Sequence, residues 1–561
     1  MHSPGVTEAD GTEPGAAGLG VTVAVPAARR PASAPDLPDG PGARRGPRAA
    51  GAWLAVIVPG LAELLLGGYQ LGRASLWRDE GYTREVAQRS TGQILALLRH
   101  QDAVHGLYYL AVHAVVDMLG ASATDLRLPS LIASVAAVGL TAALGRRLAR
   151  AAAQPAPALT GLLAGLVLAG LPVTTWYAQD ARPYAAVTLF AVAATYLLVR
   201  GVTEGRGRWW WAGYGAVVLT LALLNLAALL LVAAHGISLL AMRRPRRPGG
   251  GAHARAATRR WLAAAGAAAA ALTPLMVFAV RQNGQLNWVS RPTLDLAGAL
   301  VTDFAGVKDL VPLALALTLA GVAADIGRRY RVICPPVAIT LPWLLLPPAA
   351  LLTLSVAHPV YVERYVVFCT PAAALLMAAG LIWLGRLVAM TPAGRGRPAL
   401  AAVPVALVIA VMAAVLIAPQ QRARTDAARK DNLRKVAAIV SQNEKRGDAV
   451  LYQPWGARVA GLAYPRPFAR LASIGMLAAP VASATLTGVP AAPAELARRL
   501  RAAGPAVRRI WLVRWRRPLP PTPLVTEQAA LLRGLRLIRR WDVKSVELSL
   551  YAAQPPVGRR S

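Results

Sequence analysis

The chain has 561 residues, of which 55% are hydrophobic and 16% charged, and its formal net charge is +34. A soluble protein carries about 25% charged residues, so this composition excludes an ordinary soluble enzyme. Many apolar stretches reach the ~18 residues needed to cross hydrocarbon as a helix, which makes the chain a polytopic membrane protein. The positive charge is not a nucleic-acid footprint. The arginines sit in short loops between apolar segments, the positive-inside pattern, with no zinc-finger, recognition-helix or aromatic RNA-binding motif beside them. The two cysteines, Cys334 and Cys369, give neither a disulfide framework nor metal-ligand spacing.

Residues 1–50 are rich in Pro, Gly, Ala and Arg and hold no apolar run, so a disordered tail is expected there. They are too long and polar for the charged end of a signal peptide, and the first span is expected to be retained. Eleven spans follow, at about 52–72, 125–145, 158–177, 183–200, 209–224, 227–242, 261–280, 309–326, 333–356, 365–388 and 400–419. The apolar stretch 209–242 is too long for one untilted helix and suits two short ones turning near Asn225.

Alternate loops carry the arginines: Arg146, Arg147 and Arg150; Arg206 and Arg208; a cluster from Arg243 to Arg260; Arg328, Arg329 and Arg331; Arg386, Arg395 and Arg397. Placing these loops inside puts the N-terminal tail in the cytoplasm and the C-terminal region outside the plasma membrane. From Gln420 onward the pattern changes. Amphipathic helices are expected at 431–443 and 527–537, and strands at 448–452, 509–514 and 545–552, which suggests a small extracytoplasmic α/β domain. The expected organisation is therefore a tail over 1–50, a membrane core over 51–419 and an accessory domain over 420–561.

The chemistry-bearing residues cluster in the loops assigned to the outside. Trp77-Arg78-Asp79-Glu80 follows the first span directly. Acidic residues beside lipid are costly and need a reason to be there. Asp79 and Glu80 read either as a general base for an acceptor hydroxyl or as a cap on a helix over 83–98. Further along the same loop comes Asp102-Ala-Val-His105-Gly-Leu-Tyr108-Tyr109. Asp102 and His105 could share a helical face and bind a divalent cation with Asp79, or could simply make polar contacts. Leu126-Arg127 opens the second span, and Arg127 reads as a snorkelling anchor. Trp176-Tyr177-Ala-Gln179-Asp180-Ala-Arg182-Pro-Tyr184 lies between spans three and four, and His358-Pro-Val-Tyr361-Val-Glu363-Arg364-Tyr365 precedes span ten. Arg182 could pair with Asp180 and Arg364 with Glu363, and the tyrosines fit an interfacial belt.

This set, in this order and on one face, resembles the GT-C glycosyltransferase superfamily. The likeness is to the bacterial branch related to protein O-mannosyltransferases and aminoarabinose transferases. It covers about 52–390 and the Gly447-Asp448 start of the C-terminal region. The resemblance implies an all-α GT-C membrane fold. It implies an enzyme that takes a sugar, mannose by analogy, from a polyprenyl-phosphate carrier and passes it with inversion to an acceptor. That acceptor would be a protein Ser/Thr, a lipoglycan or a wall polymer of the cell envelope. Asp79 then looks like the base with Glu80 beside it, and Arg182 and Arg364 like the donor-phosphate ligands. Asp102, His105, Tyr108 and Tyr109 fall where acceptor or metal contacts would be. Members of the family often have Pro-Pro before the Tyr-Tyr pair, whereas this chain has His105-Gly106. The rival reading is a transporter or flippase of a lipid-linked glycan, which would place ionisable groups at mid-membrane on broken helices. Only Asn225 and Pro347-Pro348 hint at such breaks. A non-catalytic scaffold would leave the acidic loop unexplained.

Overall fold

The computed structural model describes residues 47–242, 250–282, 291–326, 335–392, 397–503, 507–516 and 532–553, with a few single positions between these segments. Most of the tail expected over 1–50, and Cys334, fall outside them. In chain order the helices are α1 (Pro47–Gly68), α2 (Arg78–Ala87), α3 (Thr91–His100), α4 (Gly106–Leu119), α5 (Ala123–Ala151), α6 (Pro157–Gly170), α7 (Pro172–Ala178), α8 (Tyr184–Glu204), α9 (Arg208–Leu224) and α10 (Leu230–Met242). They continue with α11 (Gly250–Arg281), α12 (Leu294–Ala305), α13 (Val311–Ile326), α14 (Pro336–Ala357), α15 (Thr370–Met390), α16 (Pro398–Ala423), α17 (Leu433–Asn443), α18 (Val459–Ala463), α19 (Pro465–Phe468) and α20 (Pro493–Ala503).

Each of the eleven expected spans is helical, but not all reach spanning length. Among the described residues seven helices are long and apolar enough to cross a membrane, or eight if the bent pair α6–α7 counts as one span. The difference falls on α1, apolar over Trp53–Gly68, and on the halves of the 209–242 stretch. That stretch does divide at Asn225, whose Oδ1 accepts a hydrogen bond from Ala227 N at 3.0 Å and starts a new turn. The third expected span is not straight. It bends by 69° between α6 and α7, where Pro172 opens α7 without an amide proton to give the preceding turn. The helix expected over 83–98 is also two. Ser90 caps α3 by accepting from Gln93 N and ends any continuation of α2.

α15 lies at the centre of the helical body, 83% buried over its apolar window, while α16 is 11% buried and turns its side chains outward. α13 packs against α15 through Gly321 and Gly380. A Cβ on Gly380 would stand 2.0 Å from Leu317 O, and one on Gly321 2.2 Å from Leu376 O, so both positions require glycine. At one end of the bundle Glu204 gathers Arg147, Arg200 and Arg206, and Arg260 donates to Arg206 O. The motif-bearing loops meet at the other end.

The C-terminal region carries a four-stranded sheet in the order β1-β4-β6-β5 and a short pair β2-β3. The strands are β1 (Asp448–Gln453), β2 (Met476–Ala478), β3 (Val489–Pro490), β4 (Arg509–Trp515), β5 (Leu535–Val543) and β6 (Val546–Ala553). β1 and β4 are parallel and the rest of the four-stranded sheet is antiparallel. Asp448 pins the parallel pair, accepting from Arg509 Nε and Nη2 at 2.8 and 2.6 Å and from Trp511 Nε1 at 2.9 Å. The helix expected over 527–537 lies partly outside the described residues, and its end belongs to β5. Residues 48–561 form one compact unit. Gly81 of α2 is one point of contact: a Cβ there would meet Val459 of α18 at 2.8 Å.

Candidate active site

The site grows from the first turn of α2. Trp77 is its N-cap, and Asp79 and Glu80 are the acidic residues of that turn. Glu80 does the capping: its Oε2 accepts from Trp77 N at 3.3 Å. Its side chain is fully buried and held by Arg127, with Nε to Oε1 at 2.7 Å and Nη2 to Oε2 at 2.8 Å. Ala181 N donates to Oε1 at 3.0 Å. Burial opposes this charge, yet Arg127 holds the Glu80 carboxyl below its ordinary value. Arg127 also donates to the carbonyls of Leu71, Ala74 and Ser75 at 2.8, 3.1 and 3.3 Å. It is therefore no snorkelling anchor. It is a buried brace that ties the loop after α1 to α2 and α5, because those carbonyls have no helical partner and a guanidinium can serve several at once.

Asp79 faces the other way. Its Oδ2 lies 3.8 Å from Arg364 Nη2, and 19% of its side chain stays exposed, against 0% for Glu80. Arg364 thus turns to Asp79, not to its neighbour Glu363, which lies 3.7 Å from Lys430 Nζ. Burial disfavours the charge on Arg364, but surrounding groups that include Asp79 raise its pKa.

Arg182 does not pair with the Asp180 carboxylate either; only their backbones bond, at 2.7 Å. Its Nη2 lies 2.5 Å from His105 Nε2, and its buried Nε has no partner among the described residues. Because a guanidinium only donates, His105 Nε2 accepts, and its Nδ1–H then faces Asp102 Oδ1 at 3.2 Å. Tyr109 donates its hydroxyl to Asp102 Oδ2 at 2.5 Å. Tyr109, Asp102, His105 and Arg182 are one chain of contacts. Burial works against the charge on Arg182, but Asp79, with Asp102 further down, raises its pKa well above the ordinary value. Asp102 is held low by His105 and then by Arg182, against burial. Tyr108 lies apart, its hydroxyl 3.3 Å from Ser130 Oγ. Among the described residues no group of three or more His, Cys, Asp or Glu side chains is placed to hold a metal ion. The His105 nitrogen that could have served one is turned to Arg182.

Asp180 closes the floor. It accepts from Trp77 Nε1 at 2.8 Å, and Arg429 Nη1 lies 3.9 Å from the same oxygen. Burial first, and the Glu80 charge second, raise its pKa to about 6. Arg429 comes from the segment after α16. It donates to Gln179 O at 2.6 Å and lies over the Trp176 ring at 4.3 Å. A cavity of about 240 Å³ opens here, lined by Trp77, Trp176, Asp180, Asp303, Arg364 and Lys430 among others. Two indoles, carboxylates and cations in one concave space suit a polar ring that also presents apolar C–H faces.

The sequence reading missed Arg429, Asp431 and Asp303. Arg429 and Asp431 belong to the alternating charges Arg424-Thr-Asp426-Ala-Ala-Arg429-Lys-Asp431 directly beyond the last span. That density of charge at a membrane boundary was the available signal. Asp431 fixes the start of α2 from outside, accepting from Arg78 N, Nε and Nη2 at 3.0, 2.9 and 2.8 Å and from Ser545 Oγ. Arg78 stacks 4.2 Å over Trp515, Asp426 accepts from Ser75 N at 2.6 Å, and Tyr464 OH accepts from Leu76 N at 2.9 Å.

No protein-family model matches the chain, and no curated protein does. Among solved structures, ArnT from Cupriavidus metallidurans bound to undecaprenyl phosphate superposes with a TM-score of 0.55 at 14% identity, over 90% of this chain and 100% of that one. The apo state of the same protein gives 0.54 and 13%, with the same coverage. The archaeal oligosaccharyltransferase AglB from Archaeoglobus fulgidus, in complex with an inhibitory peptide and a dolichol-phosphate, gives 0.45 at 12% identity over 83% and 69%. At these identities the likeness is one of fold. The chain has the GT-C fold that ArnT has, with a small sheet domain at its C-terminal end.

Proposed function

We propose that the chain is a membrane glycosyltransferase that moves a sugar from a polyprenyl-phosphate carrier to an acceptor hydroxyl, with inversion. The observation that carries this reading is the meeting of Asp79 with Arg364, and of Arg182 with its His105–Asp102 support, from three loops at one end of a GT-C bundle. The acceptor oxygen attacks the anomeric carbon while Asp79 takes its proton. The bond from that carbon to the phosphate oxygen breaks, and the carrier phosphate leaves with the electron pair. Arg182 and Arg364 stabilise the charge that develops on it. Glu80 is assigned here to holding the loop and not to the chemistry, because its acceptor positions are already engaged. The sugar sits against Trp77 and Trp176, and mannose is the first candidate on the family resemblance.

The carrier chain has a place to lie. An apolar groove of about 540 Å³ between α1, α6 and α16, with Tyr69, Gln420 and Arg424 at its polar end, opens beside the same α6–α7 corner. ArnT, which shares the fold, has been solved with undecaprenyl phosphate bound. We place the site and the C-terminal domain outside the plasma membrane and the N-terminus in the cytoplasm, since the basic loops gather at the opposite end. The acceptor is a protein Ser/Thr, a lipoglycan or a wall polymer.

The transporter reading has one observation in its favour: Glu63 is fully buried within α1, bonded to Ser134 Oγ at 2.6 Å. Incubating membranes with a panel of polyprenyl-phosphate sugars separates the two. Sugar release or transfer that is lost in Asp79→Asn supports the enzyme. Carrier that crosses the bilayer with its sugar still attached supports the transporter.

A further inference from the structure

A second cavity, of about 390 Å³, lies where the end of α2 and the start of α3 face the C-terminal domain. Its walls include Arg84, Glu85, Arg89, Tyr452, Arg458 and Phe468. Three guanidiniums therefore face one carboxylate. Glu85 is committed to Arg89, at 2.7 and 2.9 Å. The Arg89 side chain is 2% exposed and also gives Nη2 to Thr485 O at 2.6 Å, while its buried Nη1 has no partner among the described residues.

Among the described residues, Arg84 and Arg458 hydrogen-bond only to neutral carbonyls. Arg84 donates to Ala121 O and Leu462 O, both at 3.2 Å, and Arg458 to Thr487 O at 2.7 Å. Burial lowers the pKa of both guanidiniums, and at Arg458 the Glu85 charge offsets this only in part. Such a site is completed by an oxyanion, which arginine can grip bidentately. Buried Tyr452 and Phe468 add an apolar wall against which the C–H face of a sugar ring can pack. The volume is in the ~300–1,000 Å³ range of small-ligand sites. Arg84 is five residues beyond Asp79 on the same helix, about 8 Å along its axis.

We propose that this cavity is an acceptor subsite that holds an oxyanion-bearing stretch of glycan, a uronic-type carboxylate or a phosphodiester, while the chain's reacting hydroxyl reaches Asp79. The assignment rests on the glycosyltransferase reading and names the acceptor class as an anionic glycan, with a protein acceptor as the outcome that would displace it. Binding to the full-length enzyme in detergent is measured with three labelled probes of equal length: hexagalacturonate, a glycerol-phosphate hexamer and neutral maltohexaose. At least one anionic probe binds, more weakly at high salt, and the tighter of the two identifies the oxyanion. Arg458→Gln weakens it by about tenfold, the loss of one charge-assisted contact. Ala469→Trp, at an exposed position on the cavity rim, blocks it sterically with all three arginines intact. Gel filtration and melting temperature confirm that both variants are folded, and donor hydrolysis is unchanged in them. Maltohexaose binding as tightly as the anions, no probe binding, or both variants binding like the wild type overturns the proposal. Absence of donor hydrolysis in the wild type instead defeats the enzyme reading and leaves the binding result standing.

Discussion

Adjacent carboxylates on one turn of α2 are set to different tasks by what faces them. Asp79 keeps part of its surface open beside Arg364, and Glu80 is sealed against Arg127. Asp79→Asn should therefore lower transfer by about 10²–10⁴-fold, the usual worth of a general base, with insertion and melting temperature preserved. Glu80→Gln should do the reverse first. Halving a buried pair costs about 3–5 kcal/mol, so the expected readout is lost accumulation and a lower melting temperature. A well-folded Glu80→Gln protein without activity would return Glu80 to the chemistry. Arg182→Lys should weaken donor use more than Arg364→Lys, because on the proposed reading its guanidinium serves the donor phosphate and His105 at once, and a lysine cannot. Equal, mild effects on donor KM would argue against phosphate contact. Asp79, Arg182 and Arg364 stood out in the sequence because an ionisable group beside an apolar span is conspicuous. Which cation faced which anion was not legible. Arg182 and Arg364 both bypass the acid nearest in sequence, and Arg127, read as an anchor, is a buried brace. Long-range pairing of this kind leaves no local trace.

At the scale of elements, apolar periodicity located the helices but not their breaks. Only Gly170 and Pro172 mark a 69° bend in the run 158–177, and prolines elsewhere, as in α14, sit inside a continuous helix. The bend matters because it delivers Trp176, Gln179 and Asp180 to the site. The strand order of the C-terminal domain and its seat on α2 were also hidden. That seat gives an element-level prediction. Asp431 receives three hydrogen bonds from Arg78, the residue before Asp79. Asp431→Ala, far away in sequence, should cut transfer by at least about tenfold while donor affinity changes little, since the arginines we assign to the phosphate are elsewhere. A variant with normal turnover would show that the first turn of α2 holds its own geometry.

For the whole molecule, residues 48–561 form one compact unit, and we propose that the C-terminal region expected as an accessory domain helps to build the site. Truncation after α16 would remove Asp426, Arg429 and Asp431 together, so we expect it to abolish donor hydrolysis as well as transfer. Retained hydrolysis in a properly inserted truncate would restore the separable domain. The charge balance of the site also depends on pH. Burial first, and Glu363 second, raise the Asp303 carboxyl from 3.8 to about 6. The folded protein therefore keeps a proton there that the unfolded chain releases. The stability from this group is full below the lower value and declines as pH rises through the upper one. The same rise puts a negative charge into the cavity to which we assign an anionic donor. Donor KM should increase by a few fold between pH 5 and pH 7 in the wild type and stay nearly flat in Asp303→Asn. An identical slope in both proteins would assign the dependence to another group.

The clamp of Asp431 on Arg78 joins residues 353 positions apart. During synthesis at roughly 5–20 residues per second, the first loop would wait about 20–70 s for its partner to be made. Throughout that interval the turn that carries Asp79 has been made but lacks its clamp. On the reading proposed above, completion by so late a segment would act as a biosynthetic interlock: a chain stalled before Asp431 would hold the Asp79 turn unclamped, and we expect it to spend no donor.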